Sequence, residues 1–546
     1  MSDPKRVSTE LLLAMATVLV SVAFAANALH LSAFCGRLAL PPQYDDVAYL
    51  LSGFDLFEMA LKKPVGSLLT SFFDQHAPFQ SFLALAGYRL FGVNKWSAYQ
   101  VNAILLVAFM IGVLWMTRSL GLISRLSIVL IVLATPLTTN LVTEFRPDLF
   151  WGLLCGLSVF LLLQPQLLDR GWRIRTGAMV FGVAALHAKP SASPATALLL
   201  AMALAAGVGI RMIYRPLSRI ETTYRLALPL ATALAVSAPF FIANAGRLYH
   251  YIHLAFVEWR DVNQFKGSLY DHVSFYSIGS SYRTALFTTL WIGLAALVIN
   301  GGRLRKRRLN QDLAYHLALV GVVILAYLIP TLSVMKSYFL GGIFYGTFIV
   351  ATIGTVVDIV GSLEGAHDGP MCGARWALPF VACLSVLMAP AVPLASVWDR
   401  HFAAEINVVY QQMISGINKS EGLAAASHEP HSRASSSPKP VIVYIPSPFV
   451  MSSTTISLIA RWEGNAIVGT AGYYTSTIRE HQANLAKSDY AVISELHDSL
   501  YPGSTLSPQL IQLIRSDADF DIVSVFQHAN GYHTFLFRHR RAASRD

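Results

Sequence analysis

The stretch LLLAMATVLVSVAFAANALHLSA, residues 11–33, decides the class of fold to which this chain belongs. A helix of about 20 apolar residues is long enough to cross the hydrocarbon core of a membrane. Lys5 and Arg6 precede the stretch, and it has no clear small-residue cleavage site. Because basic residues collect on the cytoplasmic side, the sequence predicts a retained first helix that starts in the cytoplasm and ends outside.

The composition of the whole chain agrees with this prediction. Of 546 residues, 54% are hydrophobic and 13% are charged, and the mean hydropathy is +0.50. Soluble domains carry about 25% charged residues. The net charge of +10 does not indicate a nucleic-acid partner, because the basic residues lie in short clusters between apolar runs. The sequence therefore predicts an integral membrane protein, which we assign to a bacterial inner membrane.

Apolar segments alternate with basic loops along the first 396 residues. Basic clusters at 118–125, 169–175, 211–225 and 303–308 mark the predicted cytoplasmic loops. With about 20 residues for each crossing, we expect about eleven spans. After the first helix they lie at 97–117, 122–140, 148–164, 176–189, 191–212, 224–244, 284–300, 312–331, 338–360 and 376–396. The predicted fold is mainly α, a polytopic bundle of transmembrane helices.

The same alternation places two large loops outside the cytoplasm. They lie at 34–96 and 245–283, and everything after about residue 397 is also outside. Within the first loop, Phe79–Phe91 is apolar, but at about 1.5 Å per residue it reaches only some 20 Å. We therefore expect an interfacial helix there rather than a span.

The C-terminal part of the chain is predicted to be a small extracytoplasmic α/β domain. Residues 397–440 are assigned to a linker, since 421–440 is rich in Ala, Ser, His and Pro. From 441 to 546, short β-branched runs alternate with helix-like stretches. Such alternation is typical of an α/β domain.

Carboxylates at the outer ends of apolar helices are the candidate site residues. Asp45 and Asp46 open an amphipathic helix predicted at Val47–Lys62, and Asp148 opens a later span beside Arg146. Acidic residues are costly at membrane depth, so their presence there suggests a function. The helix dipole also favours the ionised form that a general base requires. An ordinary helix N-cap is the alternative for each aspartate taken alone.

Four short motifs together resemble those of GT-C glycosyltransferases, the class of lipid A aminoarabinose transferases and protein O-mannosyltransferases. Asp45-Asp46-Val47-Ala48-Tyr49 is similar to the Asp-[Glu/Asp]-x-x-Tyr motif of the first outer loop in that class. Three later motifs resemble the others and occur in the same order, namely His76-Ala77-Pro78-Phe79, Pro147-Asp148 and Leu186-His187-Ala188-Lys189-Pro190. Ala77 and Pro190 depart from the class pattern, which has proline and glycine there.

This resemblance implies an inverting enzyme that moves a sugar from a polyprenyl-phosphate donor to an acceptor hydroxyl at the outer membrane face. Residues 1–396 are then the catalytic domain, and the acceptor is a glycan, a glycolipid or a protein. Asp45 carries over as the general base, and Asp46 and Asp148 orient the acceptor or the loop. Lys189 carries over as the partner of the donor phosphate. Further candidates for substrate binding are Tyr49, His76, Arg146, Arg260 and Lys336.

Other interpretations stay open on the sequence alone. A transporter or flippase of lipid-linked sugars would also have many spans, but it predicts internal repeats that we do not find. A non-catalytic, glycan-binding assembly protein is a third possibility. Lys189 could merely snorkel to the interface among the membrane lipids. We expect no cofactor, although Asp45, Asp46 and His76 could together hold a divalent metal ion.

Overall fold

The computed structural model of the chain describes residues 4–42, 45–75, 77–164, 166–168, 172–214, 219–258, 260, 264–276, 311–364, 374–388, 400–422, 439–446, 452–496 and 502–540. The chain forms two compact units. The first comprises Met1–Ala28, Met59–Leu83 and Tyr99–Leu394, and the second comprises Leu29–Glu58, Ala84–Ala98 and Ala395–Asp546. His76, the predicted span at 284–300 and the basic cluster at 303–308 lie outside the described residues.

The chain is mainly helical up to residue 388, as predicted. In chain order the helices are α1 (Pro4–Cys35), α2 (Asp45–Lys62), α3 (Val65–Asp74), α4 (Pro78–Phe91), α5 (Ser97–Met116), α6 (Leu122–Leu133), α7 (Pro136–Thr143), α8 (Pro147–Leu162), α9 (Trp172–Ala188), α10 (Ser193–Tyr214), α11 (Arg219–His253), α12 (Leu269–Ser274), α13 (Gln311–Leu332), α14 (Gly342–Glu364) and α15 (Ala374–Met388). Boundaries between the two units fall inside α1, α2, α4 and α5.

Several of the described helices are long and apolar enough to cross a membrane. The five that meet this condition are Ser8–Cys35, Ser97–Met116, Pro190–Tyr214, Glu221–His253 and Ala314–Leu332. Shorter apolar helices occur at Pro147–Leu162, Gly342–Val357 and Leu378–Leu387. The protein is therefore an integral membrane protein, while the count of about eleven spans stays a prediction.

The predicted span at 122–140 is divided between two helices, α6 and α7, which are bent by 60°. Pro136 is the first residue of α7. Because proline lacks a backbone N–H and clashes with the preceding turn, it ends one helix and starts the next. The Thr138 hydroxyl lies 2.8 Å from the carbonyl oxygen of Leu133 and compensates this carbonyl for its lost helical partner.

The predicted loop at 245–283 begins later than expected. The span predicted at 224–244 belongs to α11, a single helix of 35 residues that ends at His253. The mostly apolar run gives way to a mixed apolar and polar segment at 245–253, and the helix continues through it. His250 and His253 lie in the last turn, where a basic side chain suits the negative end of the helix dipole.

The second unit contains the predicted C-terminal sheet. Its five strands are β1 (Val441–Ile445), β2 (Ile467–Ala471), β3 (Tyr490–Ser494), β4 (Phe520–Gln527) and β5 (His533–His539), in the order β2-β1-β3-β5-β4. β1 pairs in parallel with β2 and β3, and β5 pairs antiparallel with β3 and β4. The helices of this part are α16 (Arg400–Ser420), α17 (Ser453–Trp462), α18 (Ile478–Leu485), α19 (Pro502–Thr505) and α20 (Ser507–Ser516). α17 and α18 supply the crossovers that parallel pairing requires.

The linker predicted at 397–440 is wrong over its first half, because residues 400–420 form α16. One face of this helix is buried in the core of the second unit, with apolar residues at helical spacing. The buried side chains are Ile406, Val409, Tyr410, Met413, Ile414 and Ile417. The same core includes Val443 of β1 and Leu536 of β5. The C-terminal domain therefore needs α16 to cover its sheet.

The interfacial helix predicted at Phe79–Phe91 is α4, which begins one residue earlier. In the second unit, the Tyr88 hydroxyl of α4 donates to the carbonyl oxygen of Leu50 at 3.2 Å. It accepts a hydrogen bond from the indole nitrogen of Trp462 at 3.3 Å. These bonds tie the C-terminal half of α4 to α2 and α17, while its place at the membrane interface stays a prediction.

Four glycines allow α8 and α14 to pack backbone against backbone in the first unit. Gly152 and Gly156 on α8 face Gly342 and Gly346 on α14. A Cβ built on Gly346 would collide with the backbone of Gly152, and one on Gly156 would lie 2.7 Å from the carbonyl oxygen of Gly346. Small residues four apart let helices approach closely in a membrane, where dispersion replaces the hydrophobic effect as the driving force.

Gly152→Ala should lower the apparent melting temperature of the detergent-purified protein. The new methyl group would enter the backbone of α14, and overpacking of this kind costs about 1–3 kcal/mol. Gly112→Ala on α5 is the matched control, because a Cβ there meets nothing within 4 Å. Equal melting temperatures for the two variants would contradict the packing described here.

Candidate functional site

The two acidic residues at the start of α2 have different surroundings within the second unit. Asp46 is fully buried, and its Oδ1 lies 2.7 Å from Nη2 of Arg37. Asp45 is exposed to solvent, and Tyr49, one turn later, is half-buried. Asp46 therefore anchors the start of α2, while the Asp45 carboxylate is open to solvent.

The segment that leads into Asp45 is held by helices from the far end of the chain. The Asn407 side chain on α16 donates to the carbonyl oxygen of Ala39 at 2.7 Å. The Thr455 hydroxyl on α17 donates to the carbonyl oxygen of Pro42, also at 2.7 Å. These bonds satisfy backbone carbonyls that a loop would otherwise leave to water. The C-terminal domain thus fixes the backbone at Ala39 and Pro42, shortly before Asp45.

Asp148 and Lys189, which the sequence singled out separately, form an ion pair in the first unit. Asp148 follows Pro147 in the first turn of α8. Lys189 lies at the break between α9 and α10, just before the short 3-10 helix Pro190–Ala192. Only 15% of the Lys189 side chain and 6% of the Asp148 side chain are exposed. Lys189 therefore has a buried carboxylate as its partner, which snorkelling alone does not explain.

Neighbouring contacts fix the position of this pair. The Lys189 ammonium lies 5.0 Å from the centre of the Trp151 ring, a cation–π contact. The Trp151 indole nitrogen donates to the Thr196 hydroxyl on α10 at 2.8 Å. On the other side, a Cβ on Gly342 would collide with the carbonyl of Asp148. The close packing of α8 and α14 thus fixes the backbone position of Asp148.

Lys336 contacts a buried tyrosine that the sequence gave no reason to select. Its ammonium lies 5.6 Å from the centre of the Tyr276 ring and donates to the carbonyl oxygens of Pro330, at 2.9 Å, and Thr331. Burial raises the pKa of Tyr276, a hydrogen bond with the Ser337 backbone opposes this, and the Asp148 charge raises the pKa further. Tyr276 is thus a neutral hydroxyl within electrostatic range of Asp148.

The other basic candidates have different surroundings. Arg146 is buried, with 7% exposure, at the N-cap position of α8. The loop before it is fixed by Asn102, whose side chain donates to the carbonyl oxygen of Glu144 at 2.8 Å. Arg260 is exposed, and within the described ranges we find no contact that joins it to Asp148 or Lys189. The structure therefore joins Lys189 to Asp148 but leaves Arg260 apart.

The described residues provide no ready-made site for a metal ion. Within the part of the chain that the structure describes, no group of three or more His, Cys, Asp or Glu side chains is arranged to hold a metal ion. His76, the third member of the possible metal set, lies outside that part. A reaction without a metal therefore stays a prediction.

Two solved structures share the fold of this chain. ArnT from Cupriavidus metallidurans in the apo state has a TM-score of 0.54 at 14% identity, covering 96% of this chain and 98% of that one. ArnT bound to undecaprenyl phosphate has a TM-score of 0.53 at 14% identity, covering 95% and 97%. No protein-family model and no curated protein matches the sequence. The chain therefore has the fold of these two ArnT structures, which confirms the polytopic helical fold with a small C-terminal α/β domain that the sequence predicts.

Lys189→Met should destabilise the protein, because it leaves the Asp148 carboxylate buried without its cation. Removal of one partner from a buried ion pair costs about 3–5 kcal/mol. The double variant Lys189→Met/Asp148→Asn should recover most of the loss, since no unpaired charge remains. Thermal unfolding of the purified variants measures both effects. A single variant as stable as the parent would mean that the pair does not form.

Proposed function

We propose that the chain is a membrane glycosyltransferase that uses a polyprenyl-phosphate sugar as its donor. The observation that carries the proposal is a set of linked contacts: Lys189 pairs with the buried Asp148, whose charge raises the pKa of Tyr276, and the Lys336 ammonium lies 5.6 Å from the centre of the Tyr276 ring. The shared fold supports it, since one of the two ArnT structures has undecaprenyl phosphate bound. In this proposal the reaction takes place at the outer face of a bacterial inner membrane.

The two lysines have hydrogen-bonding capacity left for a phosphate group. A lysine ammonium has three N–H donors. In the described contacts, Lys189 uses one donor on Asp148, and Lys336 uses two on the carbonyls of Pro330 and Thr331. A lipid phosphate can take the remaining donors while the ion pair stays intact. Fixed cations of this kind stabilise the negative charge that grows on the phosphate as the sugar departs.

The proposed reaction needs a base for the acceptor hydroxyl, and we assign this role to Asp45. The hydroxyl oxygen attacks the anomeric carbon, the bond from that carbon to the phosphate oxygen breaks, and its electron pair leaves with the lipid phosphate. The hydroxyl proton passes to the Asp45 carboxylate. Attack on the face opposite the phosphate inverts the configuration. Asp45 suits this role because it is exposed, whereas Asp46 is buried against Arg37.

Asp148 acts in this proposal as a positioning residue. Its carboxylate holds the Lys189 ammonium in one place. A cation placed before the reaction begins needs no reorganisation as the transition state forms. The acceptor is a glycan, a glycolipid or a protein, all of which carry hydroxyl groups that this mechanism can use.

Asp45→Asn should lower the rate of sugar transfer at least about 100-fold, the low end of what a general base contributes. The substitution keeps the size of the side chain and removes only the proton acceptor. The assay follows transfer of radiolabelled sugar from the polyprenyl-phosphate donor into envelope acceptors by purified protein in lipid vesicles.

Asp55→Asn on the same helix is the matched control for this assay. Asp55 is about half exposed and pairs with Arg461, and exposed pairs contribute only about 0–1 kcal/mol to stability. Its transfer rate should stay near that of the parent protein. Near-normal turnover by Asp45→Asn would refute the base assignment. Movement of lipid-linked sugar across the vesicle membrane without transfer would favour a flippase instead.

Removal of the Lys189 ammonium should weaken binding of undecaprenyl phosphate about tenfold, the loss of one charge-assisted contact. The comparison is between Lys189→Met/Asp148→Asn and Asp148→Asn alone, because neither leaves an unpaired carboxylate. Lys189→Arg should restore binding only in part, since its planar fork differs from a point charge. Intrinsic-fluorescence titration with undecaprenyl phosphate measures the affinities.

Lys62→Met serves as the control for removal of a lysine. Lys62 is exposed in the last turn of α2 and should be replaceable without change in affinity. If the double variant and Asp148→Asn bind undecaprenyl phosphate equally well, Lys189 does not contact the donor phosphate.

A further inference from the structure

An open cavity of about 400 Å³ lies in the C-terminal domain, within the second unit. Its walls include Tyr473, Tyr474 and Thr475 from the segment after β2, and Glu480 and Asn484 from α18. The volume lies at the lower end of the range for small-molecule sites, about 300–1,000 Å³. Tyr474 is 37% exposed, so its ring is available to a ligand.

A buried hydrogen-bonded network holds two of the residues that line this cavity, Thr475 and Asn484. The Tyr444 hydroxyl on β1 lies 2.6 Å from Nδ1 of His481 on α18, and both side chains are buried. Burial raises the pKa of Tyr444, which hydrogen bonds with Asn484 and Thr475 partly offset. Burial lowers the pKa of His481, so its ring is neutral near pH 7. Asn484 and Thr475 are therefore oriented before any ligand binds.

Tyr473 is fixed from the other side. Its hydroxyl accepts a hydrogen bond from the backbone nitrogen of Ser453 at 2.7 Å and lies 2.8 Å from the Ser453 hydroxyl. Walls that are ordered in advance lose little conformational entropy on binding. The cavity is thus preorganised around Tyr474.

The chemistry of the walls suits an uncharged sugar. Amide, hydroxyl and carboxylate groups offer both donors and acceptors to ligand hydroxyls. A tyrosine ring offers an apolar face, which matches the C–H face of a pyranose. Among the described residues that line the cavity, none is Lys or Arg. Glu480 would repel a phosphate or an acidic sugar.

The first turn of α17 holds both a wall of the cavity and the segment before Asp45, because the Ser453 backbone nitrogen donates to the Tyr473 hydroxyl and the Thr455 hydroxyl donates to the carbonyl oxygen of Pro42. Burial raises the pKa of Tyr474, and the negative charge of Asp45 raises it further. A general base must lie within hydrogen-bond reach of the hydroxyl that it deprotonates, directly or through one water. The acceptor sugar of the proposed reaction must therefore bind near Asp45, and this cavity is a site of that kind.

We propose that this cavity binds an uncharged sugar ring of the acceptor, so that the C-terminal domain supplies part of the substrate site. The identification of this sugar as the acceptor rests on the proposed function, which makes Asp45 the base for the acceptor hydroxyl. It also excludes a protein side chain as the sole acceptor group, because the cavity selects a ring with several hydroxyls.

Saturation-transfer NMR on the full-length purified protein tests the cavity directly. The probes are the methyl glycosides of glucose, galactose, mannose and N-acetylglucosamine, with glucuronic acid as the anionic comparison. At least one neutral glycoside should bind, and Tyr474→Ala should weaken its binding about five- to tenfold through loss of the aromatic face. Glu480→Gln should increase binding of glucuronic acid, because it removes the repelling charge.

Tyr532→Ala is the matched control, since Tyr532 is a 46% exposed tyrosine of the same domain that does not line the cavity. It should bind the glycosides as the parent does. The proposal would be overturned if no glycoside binds, or if Tyr474→Ala and Tyr532→Ala bind the glycosides equally well. Weaker binding of undecaprenyl phosphate by Tyr474→Ala would also overturn it. If the protein transfers sugar but glycoside binding does not depend on Tyr474, the sugar-binding role of the cavity is refuted and the proposed function is not. If glycoside binding depends on Tyr474 but the protein transfers no sugar, the proposed function is refuted and the sugar-binding role of the cavity is not.

Discussion

The ion pair between Asp148 and Lys189 is the interaction on which the proposed donor site depends. Two largely buried charges attract each other strongly, but each loses hydration, so neither suits this position without the other. Helix ends contribute as well. Asp148 lies at the start of α8, and Lys189 lies just beyond the end of α9. A carboxylate at the positive end of one dipole and an ammonium at the negative end of another are both favoured.

The glycine contact between α8 and α14 gives this pair its fixed surroundings. Gly342 meets the backbone of Asp148, and a Cβ on the adjacent Gly341 would collide with the ring of Tyr276. The same two small residues therefore allow α14 to approach Asp148 and leave room for Tyr276. Because packed backbones do not adjust by small side-chain motions, the carboxylate and the tyrosine are held at one separation. The proposed phosphate site is thus positioned before the donor arrives.

Features that depend on nearby residues could be predicted from the sequence, and features that depend on distant ones could not. Apolar length located α5, α10 and α13, and charged residues at helix ends located Asp148 and Lys189. Their pairing, and the role of Tyr276, had no local signal. The glycines at 152, 156, 342 and 346 did have one, since each pair has the G-x-x-x-G spacing that marks close helix packing. The bond from Asn407 to Ala39 joins segments that no local pattern connects.

Asp45 and Asp46 show why a motif alone does not assign roles. Neighbouring residues on a helix point about 100° apart, so a helix with one buried face must treat two adjacent side chains differently. Asp46 lies on the buried face of α2 and pairs with Arg37, whereas Asp45 is exposed. The burial of Asp46 fixes the helix, and that in turn fixes where Asp45 points. An acidic pair that looks redundant in the sequence thus divides into a buried residue that holds the helix and an exposed residue that we propose as the base.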